Sequence, residues 1–308
     1  MNEREMLEAV GRLPKSIEPP RDLWPGIAAR LGRRWQRWYW LPLAAAAALA
    51  AVLIGRGGDR GAWPVTWLAG AGPASLRVGE WVETDASSRA LISVGRIGQV
   101  EVRPRTRIQL LVAHSDEHRL ALAHGAIAAQ VDTIPRLFFV ETPVGTAVDL
   151  GCAYTLEMDS LGNGLLHVTA GEVEFEGRGV QVRVPMGAVV VTRAGAGPGI
   201  PYVEDAPEGL RRALAASDVR GALAAARPDD GISLWHLLQR VDATQRGAVY
   251  DRLTALVPPP EGVTRAAALA LDRTALDAYW THIQRILFRK GILRGVRDID
   301  PRTGTRMR

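Results

Sequence analysis

The feature that most limits how this chain can fold is a run of 18 consecutive uncharged residues, Trp38 to Gly55, between Arg37 and Arg56. A bilayer core needs roughly 20 apolar residues, with about 17 as the lower limit, so the run is just long enough to span it. Tryptophan and tyrosine gather at its start, as in the aromatic belt of a membrane interface. We therefore predict one N-terminal transmembrane helix over residues 38–55, with a cleaved signal peptide and a buried soluble helix as alternatives.

The charges on the two sides of this run predict its orientation. Five arginines lie between residues 21 and 37, whereas only Arg56 and Arg60 follow closely, with Asp59 between them. An excess of basic residues marks the cytoplasmic side of a membrane helix. We expect residues 1–37 to form a short cytoplasmic tail and the rest of the chain to lie on the other side of the membrane.

Residues 56–203 have the pattern of a β domain. Short β-branched and aromatic runs alternate with Gly, Pro, Asp and Ser, and roughly ten to fourteen short strands would fit. Gly79, Gly125 and Gly171 are spaced 46 residues apart, and each begins a strand-like run. Such repetition predicts a stacked or rolled β-sheet of the solenoid or sandwich kind. The glycines would supply positive φ or tight turns.

Residues 204–283 have the period of an all-α helical region. One predicted helix has apolar residues at the i, i+3, i+4 and i+7 positions Leu234, Leu237, Leu238 and Val241. Asp242 would begin the next helix. Thr264 would cap one last helix, whose apolar face is Ala268, Leu271, Ala275, Tyr279 and Ile283. Residues 284–308 are predicted to be a basic tail that is either disordered or a short helix followed by disorder.

Motifs of catalysis and of nucleotide binding do not occur in the sequence. The chain has no nucleophile elbow, no Walker A loop, no H-E-x-x-H helix and no dinucleotide-binding glycine loop between a strand and a helix. The net charge of +5 is modest, and the basic residues are concentrated at the two ends of the chain. We therefore predict no enzymatic activity, no catalytic, cofactor-binding or metal-ligating residues, no cofactor, no small-molecule substrate and no nucleic-acid partner.

We interpret several side chains that could take part in chemistry as structural residues. The histidines expected to be solvated in a loop are His114, His118 and His124. The acids expected on the exposed face of one strand are Glu172, Glu174 and Glu176. Cys152, the single cysteine, excludes an intramolecular disulfide and is expected to be a small buried residue. Trp235 and Trp280 lie at core-facing helical spacings and are expected to be core residues.

Part of the β region resembles the FecR domain of bacterial signalling proteins. The resemblance covers residues 74–192. The matching segments are 78–84 (VGEWVET), 87–90 (SSRA), 120–125 (LALAHG), 139–151 (FVETPVGTAVDLG) and 168–173 (VTAGEV). The chain departs from the family pattern at Cys152, where threonine is usual.

This resemblance implies a location and a class of partner. In the family, the domain follows a single membrane helix and lies in the periplasm, usually in a regulator that connects an outer-membrane receptor with a cytoplasmic sigma factor. It implies a non-catalytic protein of the inner (cytoplasmic) membrane that acts through protein partners, with a sigma factor and an outer-membrane receptor as candidates. The alternative is a structural or polysaccharide- or protein-binding module of the envelope that does not signal.

Overall fold

The computed structural model describes residues 61–132 and 134–293. The chain divides into two compact units, Met1–Gly58 and Asp59–Arg308, and all described residues belong to the second. The predicted cytoplasmic tail 1–37, the predicted transmembrane helix 38–55 and residues 294–308 of the predicted basic tail therefore lie outside the described residues. Among the residues that are described, no helix has the length and apolar character of a membrane span.

Sixteen strands precede six α-helices in the described part of the chain, which confirms the prediction of a mainly β region followed by helices. The strands are β1 (Ala62–Ala69), β2 (Ser75–Arg77), β3 (Trp81–Glu83), β4 (Arg89–Val94), β5 (Gly98–Val102), β6 (Arg107–Ala113), β7 (His118–Val131), β8 (Phe138–Thr142), β9 (Gly145–Asp149), β10 (Ala153–Met158), β11 (Gly164–Ala170), β12 (Glu172–Gly177), β13 (Val180–Pro185), β14 (Ala188–Arg193), β15 (Gly197–Pro198) and β16 (Tyr202–Val203). The number exceeds the predicted ten to fourteen because several strands are only two or three residues long.

The α-helices follow β16 without a further strand between them. They are α1 (Glu208–Ala215), α2 (Val219–Ala225), α3 (Gly231–Arg240), α4 (Ala243–Leu256), α5 (Arg265–Leu269) and α6 (Arg273–Arg289), with a single 3₁₀ turn at Pro228–Asp230.

Strand β7 carries the chain from one β-sheet into another. Its first half pairs with β6 and, in parallel, with β8, whereas its second half pairs with β5 and β10. Sheet I has the order β3-β6-β7-β8-β9-β12-β13, and sheet II has the order β1-β4-β5-β7-β10-β11-β14, with β15 and β16 paired to β14. The sequence left open whether the β region is a solenoid or a sandwich. The strand order is that of two sheets joined through one long strand, β7.

The three equally spaced glycines all have positive φ, which confirms their predicted role. The φ angles are +88° at Gly79, +100° at Gly125 and +69° at Gly171. Gly125 lies where β7 passes from sheet I to sheet II, and a Cβ atom there would overlap the main chain of Thr106. Gly171 joins β11 of sheet II to β12 of sheet I. The repeated glycines therefore mark a turn and two passages of the chain between the sheets.

The strands and the helices share one hydrophobic core. Buried side chains of both sheets continue without interruption into those of the helices. The largest fully buried side chains include Tyr154, Phe138 and Phe175 on strands and Tyr279 and Trp280 on α6. The helices are therefore packed onto the β-sheets.

The end of the helical region differs from the sequence prediction. Thr264 caps only the short helix α5, by accepting a hydrogen bond from Ala267 N at 3.2 Å. Leu271 then has φ +58°, which separates α5 from α6, and Asp272 caps α6. Helix α6 continues to Arg289, so the prediction of disorder from residue 284 was wrong for residues 284–289, which follow the alternative of a helix at the start of the tail. Leu287, four residues after Ile283, continues the apolar face and is fully buried.

Arginine side chains bond main-chain carbonyls between elements. The Arg252 guanidinium donates to Leu223 O at 2.9 Å and to Ala226 O at 2.6 Å. The Arg240 guanidinium donates to Pro198 O at 3.0 Å and to Gly199 O at 3.1 Å. A guanidinium presents several donors in a fixed fork, so one side chain can join two carbonyls. Arg240 thereby joins α3 to the last residue of β15 and to the residue that follows it.

Candidate functional site

The first FecR-like segment, residues 78–84, forms a turn followed by the short strand β3. The N–H of Glu80 donates to Arg77 O at 3.0 Å, and Gly79 has φ +88° at the third position of this turn. This is the geometry of a type II turn, which favours glycine at that position. The turn leads directly into β3 at the edge of sheet I.

Two residues of the same segment fix β3 against the rest of the fold. Val82 points inward and is buried. The buried hydroxyl of Thr84 donates to Arg103 O at 2.6 Å and accepts from Thr106 N at 2.9 Å. Because side chains alternate along a strand, Trp81 and Glu83 point to the opposite, outward face.

Trp81 and its neighbours form an exposed surface that we name the Trp81 edge, comprising Val78, Trp81, Glu83, Arg107 and Gln109. Val78 is 50% exposed and Trp81 is 42% exposed. The guanidinium carbon of Arg107 lies 4.4 Å from the centre of the Trp81 ring, within cation–π distance. The Gln109 amide donates to Gly79 O at 2.9 Å. The Trp81 ring is therefore held in place while a large part of it remains open to solvent.

The main chain of β3 has one free side. Among the described strands, β3 pairs with β6 alone. Thr84 N donates to Thr106 O and Leu110 N donates to Glu80 O, so the residues at even positions face β6. In an antiparallel pair the intervening residues direct N–H and C=O away from the partner. The main chains of Trp81 and Glu83 therefore face outward, in the geometry that can accept a further strand.

The remaining outward face of sheet I carries arginine–carboxylate pairs. Arg119 bonds Glu117 at 2.8 Å and Glu141 at 3.0 Å, and its guanidinium lies 4.5 Å from the centre of the Phe139 ring. This arrangement continues on β12, where Glu174 and Glu176 pair with Arg136. The predicted acids Glu172, Glu174 and Glu176 do share one strand face, and each is ion-paired, but the prediction of an exposed face was wrong for Glu172 and Glu174, whose side chains are only 14% and 15% exposed.

Glu172 differs from the other two acids because it joins the sheet to α6. One carboxylate oxygen accepts from Arg183 Nε at 2.5 Å. The other accepts from Gln284 Nε2 at 2.5 Å and from Trp280 Nε1 at 3.3 Å. Arg183 also bonds Asp277 at 3.3 Å. Sheet I and helix α6 are therefore joined by a set of polar contacts centred on Glu172.

His236 hydrogen-bonds to β13, the edge strand of sheet I opposite β3. Its Nε2 accepts the main-chain N–H of Arg183 at 3.1 Å, and its Nδ1–H donates to Ile232 O at 3.0 Å. The ring packs edge-on against Trp235 and Trp280, with ring centres 4.8 and 5.2 Å away. Burial lowers the pKa of His236 to about 3. The prediction that Trp235 and Trp280 are core residues is confirmed.

The buried neutral state of His236 predicts loss of stability in acid. Its pKa in the folded chain is below the ordinary value of 6.5. The unfolded chain therefore binds a proton first, and stability falls as the pH drops from about 6.5 towards 3. At pH 4 we expect His236 to reduce the free energy of unfolding by about 3 kcal/mol relative to pH 7. Urea unfolding of wild type and His236→Gln at both pH values measures the difference.

The matched control for this prediction is His282→Gln, on the partly exposed part of α6. The control should keep the wild-type loss of stability between pH 7 and pH 4. An equal loss in His236→Gln and wild type would contradict the assignment to His236.

His114 is exposed in the loop between β6 and β7, as predicted, whereas the structure places His118 and His124 differently from the sequence expectation. His118 begins β7, is only 8% exposed and packs against Trp63 with ring centres 5.6 Å apart. The prediction that it is solvated was wrong, because β7 begins at this residue and its inward face starts with this side chain. His124 also lies in β7. Within the described ranges, no three His, Cys, Asp or Glu side chains are grouped as for a metal ion.

Cys152 is buried and free, as predicted, and burial raises the pKa of its thiol. Beside it lies Asp149, a fully buried aspartate that the sequence interpretation did not single out. The sequence pattern that could have indicated its burial is a single acidic residue within the apolar run 147–150 (AVDL). His236 has a similar signal, since it stands among apolar residues on α3.

Comparison with known proteins gives limited similarity. No family model and no curated protein matches the chain. Two crystal structures of a candidate anti-sigma factor from Parabacteroides distasonis align with TM-scores of 0.37, at 14% and 16% identity. The alignments cover 41% and 44% of this chain and 60% and 64% of the other. The chain thus spans less than two thirds of the length of those proteins.

Proposed function

We propose that this chain is a non-catalytic, single-pass inner-membrane regulator whose β domain lies in the periplasm and binds a protein partner. The Trp81 edge carries this proposal. It combines a free strand edge with two exposed apolar side chains, Val78 and Trp81, inside the segment that resembles the FecR domain. The backbone groups that face outward from β3 are complementary to an extended polypeptide, so the partner would add a strand there.

Trp81 is the residue expected to contribute most to binding. Tryptophan and arginine are enriched among the residues that dominate binding energy at protein interfaces. The contact with Arg107 holds the ring before binding, which reduces the entropy lost on association.

In the finer form of the proposal, the partner bound outside changes how residues 1–37 interact in the cytoplasm. The order of tail, membrane segment and FecR-like region in the sequence supports this form, with a sigma factor as the cytoplasmic partner and an outer-membrane receptor as the periplasmic one. A photo-crosslinking residue at Trp24 of the full-length chain should capture a sigma factor. If no cytoplasmic protein is captured, the chain does not signal by this route.

The second candidate is an envelope module that binds polysaccharide without signalling. The exposed ring of Trp81, with Glu83 and Gln109 beside it, is a surface on which a sugar ring could stack. Removing residues 1–36 while keeping the membrane segment separates the two candidates. The phenotype of the deleted strain should be restored by this truncated chain if the module acts only outside, and should not be restored if the tail transmits a signal.

The binding surface is tested by a photo-crosslinking residue at Glu83 in intact cells. We expect Trp81→Ala to reduce the yield of the crosslinked partner at least about tenfold, since a central aromatic residue contributes about 2 kcal/mol or more. Leu68→Ala is the matched control, because Leu68 is equally exposed, at 43%, but lies on β1 of sheet II. Equal yields from the Trp81 and Leu68 variants would contradict binding at the Trp81 edge.

A further inference from the structure

Asp149 ends β9 at a tight corner that leads to β10. The side chain is fully buried, with 0% exposure. One carboxylate oxygen, Oδ1, accepts from Gly151 N at 2.6 Å and from Cys152 N at 3.1 Å. The other, Oδ2, is buried and has no hydrogen-bond partner within the described part of the chain. A buried oxygen in this state disfavours the charged form of the carboxyl group.

Among the described residues, no positively charged group acts on Asp149 to balance an ionised carboxylate. The Cys152 thiol and the buried Tyr154 hydroxyl are neutral neighbours. The carboxylate of Glu172 adds negative charge that acts on Cys152. Arg136 contributes only its main-chain N–H, which donates to Asp149 O at 2.8 Å, because its guanidinium bonds outward-facing glutamates. Burial accordingly raises the pKa of Asp149 to about 6.

The corner after Asp149 is in contact with the attachment of helix α6. A Cβ atom on Gly171 would overlap the carbonyl of Gly151, so the two main chains touch. The next residue, Glu172, holds α6 through its hydrogen bonds. Leu150, at the corner itself, lines a groove of about 480 Å³ together with Phe288 of α6. A movement of the corner would therefore change the packing of α6.

We propose that Asp149 is a proton-operated switch that couples the β9–β10 corner to helix α6. With a proton, the carboxyl group stays in the core and the corner remains packed under α6. Without it, the carboxylate favours an opened corner that reaches water, and α6 is held less firmly. The proposal depends on the proposed function in one respect only, since a domain in the periplasm meets the external pH that would operate the switch.

The direction of the effect follows from the two pKa values. Asp149 has an ordinary value of 3.8 when unfolded and about 6 when folded, so the folded chain keeps the proton between those values. Its contribution to stability is fully present below about pH 4 and is lost as the pH rises through 6. The folding equilibrium constant should fall by up to about 100-fold over this interval.

Hydrogen exchange on the purified full-length chain tests the switch without any partner. We expect the ratio of protection at pH 5.0 to protection at pH 7.5, for amides of residues 150–156 and of α6, to be about tenfold higher in wild type than in Asp149→Asn, which cannot ionise. Both chains keep His236, so its loss of stability in acid cancels in this comparison. Asp159→Asn is the matched control, because Asp159 also bonds turn amides but is exposed, and it should behave like wild type.

Two outcomes overturn the switch. One is a wild-type pH dependence of protection in residues 150–156 that equals the pH dependence in β1 of sheet II, which needs no variant to fold. The other is a pH dependence in Asp149→Asn equal to that of wild type. Neither outcome depends on the Trp81 edge, so failure of the switch and failure of the proposed function can be told apart.

Discussion

Trp280→Ala should lower the free energy of unfolding by about 4 kcal/mol, the range seen when large buried aromatic residues are truncated. The Trp280 ring is fully buried on α6 and its centre lies 4.6 Å from that of Trp235. Its Nε1 also donates to Glu172, so the substitution removes a hydrogen bond at the junction of helix and sheet. Urea unfolding followed by circular dichroism measures the change.

The control for this prediction is Trp81→Ala, the same substitution at an exposed position. We expect a loss below about 1 kcal/mol there, because Trp81 is 42% exposed on the surface and its contact with Arg107 lies outside the core. A loss at Trp280 no larger than at Trp81 would contradict the packing of α6 against sheet I.

Gly125→Ala should reduce the free energy of unfolding by at least about 3 kcal/mol. Gly125 has φ +100°, and a methyl group would overlap the Thr106 Cα and approach Arg105 O to 2.6 Å. Both obstacles belong to the main chain, so a rotamer change cannot relieve the overlap. The strand β7 would have to shift where it passes between the sheets. Thermal and urea unfolding of the variant measure the loss.

Gly79→Ala is the matched control from the same set of spaced glycines. Its φ is +88°, but no atom lies within 4 Å of the added Cβ, so only the backbone preference is lost. That preference corresponds to about 1 kcal/mol. Equal losses of unfolding free energy at Gly79 and Gly125 would contradict the steric overlap at the point where β7 passes between the sheets.

The local pattern of the sequence predicted much of this fold. Alternating residues and turn signals depend on neighbours along the chain, so the β region, the following helices and the positive φ of Gly79, Gly125 and Gly171 could be predicted. The burial of Cys152 and Trp280 could be predicted for the same reason.

Features that depend on distant contacts could not be predicted. The sequence predicts a strand that begins at Gly125, whereas β7 begins at His118 and its two halves pair with strands of different sheets. Helix α6 continues to Arg289 because Leu287 finds a place in the core, which the charged sequence around it obscures. The pKa of His236 is lowered by burial against β13 and Trp280, which are far away in the chain.

The exposure of Trp81 also required the structure. An aromatic residue in a strand usually indicates the core, and the segment 78–84 does not reveal which face is covered. The register with β6 places Val82 inward and Trp81 outward. Because of that register, the segment that resembles the FecR domain has an exposed surface, which substitutions can test.

Membrane topology is the most direct test of the proposed regulator. Alkaline phosphatase or a fluorescent protein that matures only in the cytoplasm is fused after Arg308, so that the whole chain is kept. The proposal predicts phosphatase activity and no fluorescence, with the fusion retained in the membrane fraction. Fluorescence without phosphatase activity would place the β domain in the cytoplasm and contradict a periplasmic binding module.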